Sequence, residues 1–124
     1  MSREEANRFV NANIMVISMI EEVEAVKDLD AIMKVPGVDM LHIASGDLSQ
    51  SMGYPGDQEV WRVMEDVVRR VRAAGKWVSV GGNSPSNPKR VADFVKVGAN
   101  AITIGALGLM RVGAEEFRKK VEAG

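Results

Sequence analysis

Short apolar runs alternate along the chain with longer stretches in which apolar residues recur every three or four positions. The runs, which predict strands, lie at residues 14–20, 38–44, 77–80 and 101–104. The first run is continuous and rich in β-branched residues, the pattern of a strand covered on both faces in a parallel sheet. The periodic stretches predict helices at residues 2–13, 22–35, 57–75, 88–97 and 114–123.

Capping residues mark where several of these helices begin. Ser2 and Glu5 have the spacing of a capping box at the start of the first helix. Asp57 and Asn87 are of the type that caps a helix N-terminus, and Pro88 suits a first helical turn. These residues support the predicted starts of the first, third and fourth helices.

The order of the elements is α(βα)4, with one helix ahead of four strand-helix units. Consecutive units of this kind imply right-handed crossovers and a parallel sheet packed against helices. On the last two helices we expect Phe94, Val95, Phe117 and Val121 to face the sheet. A (β/α)8 barrel has eight strands, so four strands amount to half of one and leave two unpaired edges. The pattern therefore predicts one α/β domain over residues 1–124, with its sheet edges covered by another chain.

Composition narrows the function classes. The 124 residues are 46% apolar and 27% charged, as is typical of one compact domain. The formal net charge of −1 leaves no positive surplus to attract nucleic acid or anionic lipid. The chain has no cysteine, which excludes disulfides and thiolate metal sites. The most apolar run, residues 14–20, is too short to span a bilayer, so we expect a soluble protein. The lack of cysteine fits a reducing compartment, and the cytoplasm is the expected location.

Two acidic residues follow the first two predicted strands. Glu21 comes directly after the first strand, and Asp47 lies just beyond the second. Neighbouring strands lie about 5 Å apart, so carboxylates at two adjacent strand ends can converge on one cation. Two hard oxygen ligands suit Mg²⁺ or Mn²⁺ and leave most of an octahedral shell to water and substrate. The alternative is that both acids only stabilise helix N-termini.

The polar stretch at residues 45–56 is long for a strand-to-helix connection and is predicted to be a flexible functional loop. It opens with Ser45, Gly46 and Asp47, and small residues after a strand let backbone N–H groups approach a bound anion. A carboxylate is the candidate ligand. The alternative is an ordinary turn in which Asp47 or Ser49 caps a short helix.

Several segments together resemble one family. Residues 19–21, 36–39, 43–49 and 52–54 are similar to motifs of the HpcH/HpaI aldolases, and the resemblance covers nearly the whole chain. It implies the C-terminal half of a TIM-type (β/α)8 barrel. It also implies a lyase that cleaves 4-hydroxy-2-oxoacids through a pyruvate enolate bound to a divalent metal. The expected metal is Mg²⁺ or Mn²⁺, with Co²⁺ as a further candidate.

The resemblance also assigns site residues. Glu21 and Asp47 match the family's two metal-binding carboxylates. Ser45, Gly46 and Asp47 match its substrate-binding turn, in which the backbone amides of Gly46 and Asp47 would hold the substrate carboxylate. The family commonly has Gly-Pro-Ala where this chain has Ala44, Ser45 and Gly46, a departure that adds flexibility at Gly46.

The catalytic base is not assigned. The family takes a basic histidine and an arginine from the N-terminal half of its barrel, and neither motif is present here. His42 is the one histidine, and it lies where relatives usually have an apolar aromatic residue. It is interpreted as a hydrogen-bonded core or barrel-lining residue. The expected partners are a 2-oxoacid such as pyruvate and either further copies of the chain or a complementary N-terminal half-barrel.

Two other functions stay open on the sequence. The chain could be a non-catalytic half-barrel that serves as an oligomerisation module. It could also be a phosphate-binding barrel fragment, because Gly81-Gly82 and Gly105-Ala106 follow the last two strands, where many barrels bind phosphate. The same glycines also serve simply to turn a strand into a helix.

Overall fold

The computed structural model describes residues 1–124 as a parallel sheet with helices between its strands. The strands are β1 (Ile17–Ile20), β2 (Met40–Ile43), β3 (Trp77–Asn83) and β4 (Ala101–Ile104). The helices are α1 (Arg3–Asn13), α2 (Val23–Lys27), α3 (Leu29–Ile32), α4 (Ser45–Ser51), α5 (Asp57–Ala73), α6 (Pro88–Lys96) and α7 (Ala106–Ala123). The predicted α/β order is confirmed, with two of the connections each containing two helices.

The strands lie in the order β1-β2-β3-β4, and every pair is parallel. Each strand is therefore added beside the one before it, with no reversal of direction. Right-handed crossovers that always proceed the same way place their helices on one face of the sheet, which is how a (β/α)8 barrel is wound. A doubly wound sheet would instead reverse its strand order and carry helices on both faces.

The two faces of the sheet differ accordingly. The helix-covered face contributes Ile20, Leu41, Ile43, Val78 and Val80 to the core. The opposite face, called here the open face, consists of Ile17, Met19, Met40, His42, Trp77, Ser79, Ala101 and Thr103. Met19 and Trp77 are 50% and 55% exposed there. The prediction that the first strand is covered on both faces is therefore wrong for this chain.

Helix α5 supplies most of the helical side of the core. Its apolar residues recur with the helical period, and Val60, Met64, Val67, Val68 and Val71 are buried. The predicted apolar face of this helix is confirmed. The predicted cap is wrong, because the N-cap position is occupied by Gly56 and Asp57 is the first helical residue.

The other two predicted N-termini are confirmed. Ser2 and Glu5 form both hydrogen bonds of a capping box at the start of α1. At the start of α6, the side chain of Asn87 accepts a hydrogen bond from the backbone N–H of Arg90, and Pro88 is in the first turn.

Several element boundaries differ from the sequence expectation. The strand predicted at residues 14–20 is shorter, since residues 14–16 are exposed and β1 pairs with β2 only from Ile17 onward. The helix predicted at residues 22–35 is interrupted at Asp28 into α2 and α3. Strand β3 continues beyond residue 80 to Asn83.

Several predictions about helices were wrong. Residues 45–51 form α4 rather than a flexible loop, because Leu48 is fully buried and fixes this turn against the core. The last helix begins at Ala106, not residue 114, and Phe117 and Val121 are exposed. Val95 on α6 is exposed as well. No residue of α7 is buried, because the sheet ends at β4 and offers it no further strand to cover.

None of the helices combines the length and the apolarity that crossing a bilayer would require.

Candidate active site at the carboxyl ends of the strands

The residues predicted to form a site lie at the edge of the sheet where the strands end. Glu21 follows Ile20, the last residue of β1. Ser45, Gly46 and Asp47 form the first turn of α4, which begins directly after β2 and Ala44. Ligands of parallel α/β folds bind at this edge because loops from several strands converge there.

Glu21 and Asp47 line one open depression of about 530 Å³. The other lining residues are Glu22, Glu24, Gln50 and Ser51, so that every side chain around the depression carries oxygen. The structure contains no ion pair of Glu21 or Asp47 with a Lys or Arg. Both carboxylates are therefore available to a ligand.

A hydrogen bond holds the two carboxylate-bearing segments together. The hydroxyl of Ser51, the last residue of α4, accepts the backbone N–H of Val23 at 3.0 Å. Val23, two positions after Glu21, is the first residue of α2. Leu48 is fully buried and packs α4 against the core. The structure thus brings the two predicted carboxylates into the lining of the same depression.

The donor set fits a hard divalent cation only in part. Carboxylate and amide oxygens suit Mg²⁺ and Mn²⁺ better than soft metals. However, no group of three or more His, Cys, Asp and Glu side chains is arranged to hold a metal ion. A cation between Glu21 and Asp47 would complete its shell with water or substrate oxygens.

The turn after β2 packs against the end of β3. The Ser45 hydroxyl points at the carbonyl oxygen of Gly82, 3.5 Å away, and a Cβ at Gly82 would lie 2.0 Å from that hydroxyl oxygen. Gly82 also has a positive φ of 72°. A glycine is therefore required at position 82 by the Ser45 side chain and the backbone conformation. Gly46 has no such constraint, because nothing lies within 4 Å of a Cβ built there.

The strand containing Gly81 and Gly82 is irregular at this edge. Val80 pairs with Ile102 and Asn83 with Ile104, so β3 carries one more residue than β4 over this stretch, a β-bulge. The two glycines therefore belong to β3 and not to a loop beyond it. Their small size is explained by the neighbouring side chains of His42 and Ser45, without a bound phosphate.

His42 lies on the open face and is hydrogen bonded, as the sequence predicted. Its Nδ1 lies 2.7 Å from the hydroxyl of Ser79, the residue opposite it on β3. Its Nε2 faces Gly81, since a Cβ there would lie 2.6 Å from that nitrogen and 3.1 Å from the Thr103 hydroxyl. Ser79 was not predicted from the sequence, although a serine inside an apolar strand is the kind of residue that needs a polar partner.

A second depression, of about 450 Å³, was also missed. It lies between α4 and the segment after β3, and its polar lining includes Ser49, Tyr54, Asp57, Ser84 and Asn87. Ser45, Gly46 and Ser49 face it, whereas Asp47, Gln50 and Ser51 face the acidic depression. Helix α4 thus separates two polar depressions. This arrangement depends on how α4 packs, so it could not be predicted from individual residues of the sequence.

Sequentially ordered parallel strands, helices on one face and carboxylates at the strand ends are typical of (β/α)8-barrel enzymes. The profile of the HpcH/HpaI aldolase/citrate lyase family matches residues 1–111. The chain therefore belongs to the HpcH/HpaI aldolase/citrate lyase family.

Two curated relatives have the same name. The 2-keto-3-deoxy-L-rhamnonate aldolase of Klebsiella pneumoniae is 37% identical over 98 residues, which cover 77% of this chain and 36% of the relative. The 2-keto-3-deoxy-L-rhamnonate aldolase of Salmonella paratyphi B is 36% identical over 98 residues, with the same coverage. The matched segment is therefore little more than a third of either relative.

Solved structures agree on the fold. A family protein from Burkholderia cenocepacia superposes with a TM-score of 0.81 at 23% identity, over 97% of this chain and 47% of that one. The aldolase from Desulfitobacterium hafniense superposes with a TM-score of 0.73 at 25% identity, over 98% of this chain and 48% of that one. This chain spans about half the length of either solved protein.

Proposed function

We propose that the chain is the metal-binding half of a lyase that cleaves 4-hydroxy-2-oxoacids to pyruvate and an aldehyde. Family membership supports the reaction class, and the two relatives named as aldolases support carbon-carbon cleavage. The observation that carries the proposal is the placement of Glu21 and Asp47 around one depression lined only by oxygen-bearing residues. The sugar-acid substrate of the relatives belongs to the same chemical class, 2-oxoacids.

Glu21 and Asp47 are the residues that would hold a divalent cation, with Mg²⁺ or Mn²⁺ preferred and Co²⁺ as a substitute. Such a cation, when bound, supplies the Lewis acidity that stabilises negative charge on the 2-oxo oxygen. The chain contributes two anionic ligands and leaves the remaining positions open to the substrate.

The turn of Ser45, Gly46 and Asp47 would position the substrate. The backbone N–H groups in the first turn of a helix have no partner within the helix, so those of Gly46 and Asp47 are available to a carboxylate. The packing of Ser45 against Gly82 holds this turn beside the end of β3. The substrate carboxylate would then lie next to the acidic depression.

The open face of the sheet supports the proposed association with a second half-barrel. Three of its apolar side chains, Ile17, Met19 and Trp77, are exposed in this chain, and β1 and β4 each have one unpaired edge. Another copy of the chain, or a complementary N-terminal half-barrel, would cover the face and complete the wall of the site.

A thermal-shift experiment tests the site. Manganese together with pyruvate should raise the Tm of the purified chain by more than either alone, because ligands that bind only the folded state stabilise it. Glu21→Gln and Asp47→Asn should each abolish this rise. The matched control is Glu24→Gln, which lines the same depression but does not follow a strand, and which should preserve it.

The same experiment separates the alternative functions. A non-catalytic oligomerisation module, which the exposed open face favours, predicts no rise in Tm with manganese and pyruvate. A rise with a phosphate ester that neither Glu21→Gln nor Asp47→Asn affects would instead support a phosphate site. If either carboxylate variant kept the full metal-dependent rise, the proposed metal site would be wrong.

A further inference from the structure

The second polar depression, of about 450 Å³, lies on the other side of α4 from the two candidate metal ligands. Neither Glu21 nor Asp47 lines it. Its walls come from segments that are distant in sequence, namely α4, the start of α5, and the end of β3 with the segment after it. Its volume is within the usual range of small-molecule sites. The fold has therefore formed a second cavity of ligand size.

Three polar side chains of this depression are available to a ligand. The hydroxyls of Ser49 and Tyr54 and the carboxylate of Asp57 make no hydrogen bond or ion pair within the chain. Ser49 is also partly buried, and a polar group with limited access to water is usually paired. A ligand with hydroxyl groups would pair all three.

Tyr54 has a backbone conformation that packing does not explain. It is the one residue other than glycine with a positive φ, 57°, and it is 70% exposed. The left-handed region is costly for a residue with a Cβ, and the ring gains little burial to offset that cost. A hydrogen bond of 2.8 Å from its backbone N–H to the carbonyl oxygen of Ser49 holds Tyr54 at the rim. Contact of the ring with a ligand would account for the strained conformation.

The residues of the lining exclude several classes of ligand. No Lys, Arg or His lines the depression, and Asp57 would repel an anion such as phosphate. One carboxylate is too few for a divalent cation, and no group of three acidic or histidine side chains is present. Only three of the ten lining residues are hydrophobic, so an apolar ligand would leave hydroxyls unpaired. An uncharged ligand with several hydroxyl groups fits all three observations.

We propose that this depression binds a neutral sugar. The hydroxyls of Ser49 and Tyr54 can each donate and accept a hydrogen bond, and the carboxylate of Asp57 can accept one from each of two adjacent sugar hydroxyls. Trp61 also lines the depression and offers aromatic surface to the C–H face of a sugar ring. The inference does not depend on the proposed lyase function, because neither candidate metal ligand takes part.

The test follows the fluorescence of Trp61 in the full chain. The chain has one other tryptophan, Trp77 on the open face, so Trp77→Phe leaves Trp61 as the sole reporter. D-Glucose, D-galactose and D-mannose are titrated separately, since they differ only in the configuration of one hydroxyl. We expect a saturable change with at least one of them and a millimolar Kd, as is usual for ligands of this size. Inorganic phosphate should give no saturable change.

Asp57 is tested against an acidic neighbour on the same helix. Asp57→Asn should weaken sugar binding by about 10-fold, because the charged acceptor is lost. Glu59→Gln is the matched control, since Glu59 lies in the same first turn of α5 but does not line the depression. Both substitutions remove a favourable charge from the helix N-terminus and should lower the Tm slightly. Only Asp57→Asn should lower the affinity for the sugar.

Tyr54→Gly separates binding from folding. Glycine adopts a φ of 57° without strain, so the Tm should not fall. Loss of the ring should nevertheless weaken sugar binding by about 10-fold. A purely structural tyrosine would show the opposite pattern, a lower Tm with unchanged affinity.

The remaining outcomes decide the proposal. It is overturned if none of the three sugars gives a saturable change, or if Asp57→Asn and Glu59→Gln bind the sugar equally well. A saturable response to inorganic phosphate would identify an anion site and overturn it as well. Glu21→Gln should bind the sugar with unchanged affinity, which keeps this result separate from that of the metal site. Loss of sugar binding in Glu21→Gln would place the sugar in the acidic depression instead.

Discussion

At the scale of single residues, Gly81 is the position where one methyl group should matter most. A Cβ there would lie 2.6 Å from Nε2 of His42, so the imidazole must move. Gly81→Ala should lower the free energy of unfolding by about 1–3 kcal/mol, as is typical of overpacking. Urea denaturation measures this change. In a His42→Ala background the clash is absent, and the same substitution should cost much less; additive effects would contradict the contact.

The cap of α6 is a second test of a single residue. Asn87→Ala removes the side-chain oxygen that accepts the backbone N–H of Arg90, and we expect a loss of about 1 kcal/mol in the free energy of unfolding. Asn87→Asp keeps an acceptor and should cost far less. Equal losses for the two variants would show that the side chain acts through something other than capping.

Local chemistry explains why some residues were predictable and others were not. The Ser2 and Asn87 caps depend on residues three positions away, so their partners could be identified from the sequence. The hydrogen bond between His42 and Ser79 joins residues 37 positions apart and exists only because β2 and β3 pair in one register. No local pattern specifies that register.

At the scale of elements, Arg90 joins α6 to α5. Its guanidinium is 2.6 Å from Glu65, stacks on Trp61 and Phe94 at 4.8 and 4.0 Å, and its side chain is only 12% exposed. Arg90→Ala should therefore cost about 2 kcal/mol of unfolding free energy, and Arg90→Lys less, because lysine keeps the charge but not the planar stacking.

Its neighbour provides the control. Lys89 lies on the same helix and also forms an ion pair, with Asp93, but it is almost fully exposed. Lys89→Ala should change the stability by less than about 0.5 kcal/mol, as for most exposed pairs. Guanidinium denaturation of the three variants gives the comparison, and an equal effect of Arg90→Ala and Lys89→Ala would mean that Arg90 does not join the two helices.

The helix that was predicted correctly and the one that was missed are stabilised by different kinds of interaction. Helix α5 has an apolar face along most of its length, so the hydrophobic period alone indicated it. Helix α4 has small and polar residues and depends on the burial of Leu48, a tertiary contact. The candidate site was affected in the same way: Glu21 and Asp47 were predicted individually, whereas the depression that joins them depends on where α4 packs.

At the scale of the whole molecule, the open face should govern association. Ile17, Met19 and Trp77 form an apolar surface that a monomer would expose to water, and both sheet edges offer unpaired backbone groups. We expect the purified chain to self-associate, with an average mass in sedimentation velocity that rises with concentration. Because the surface is apolar, added salt should not dissociate the assembly.

The combination of Met19→Lys and Trp77→Lys should convert this assembly to a monomer, since two cations on the open face cannot be buried against an apolar partner surface. Val95→Lys is the matched control: Val95 is similarly exposed but lies on α6, away from the open face, and its substitution should leave the mass unchanged. A wild-type chain that stays monomeric at every concentration would contradict association through this face. Dissociation by Val95→Lys alone would place the interface on the helices instead.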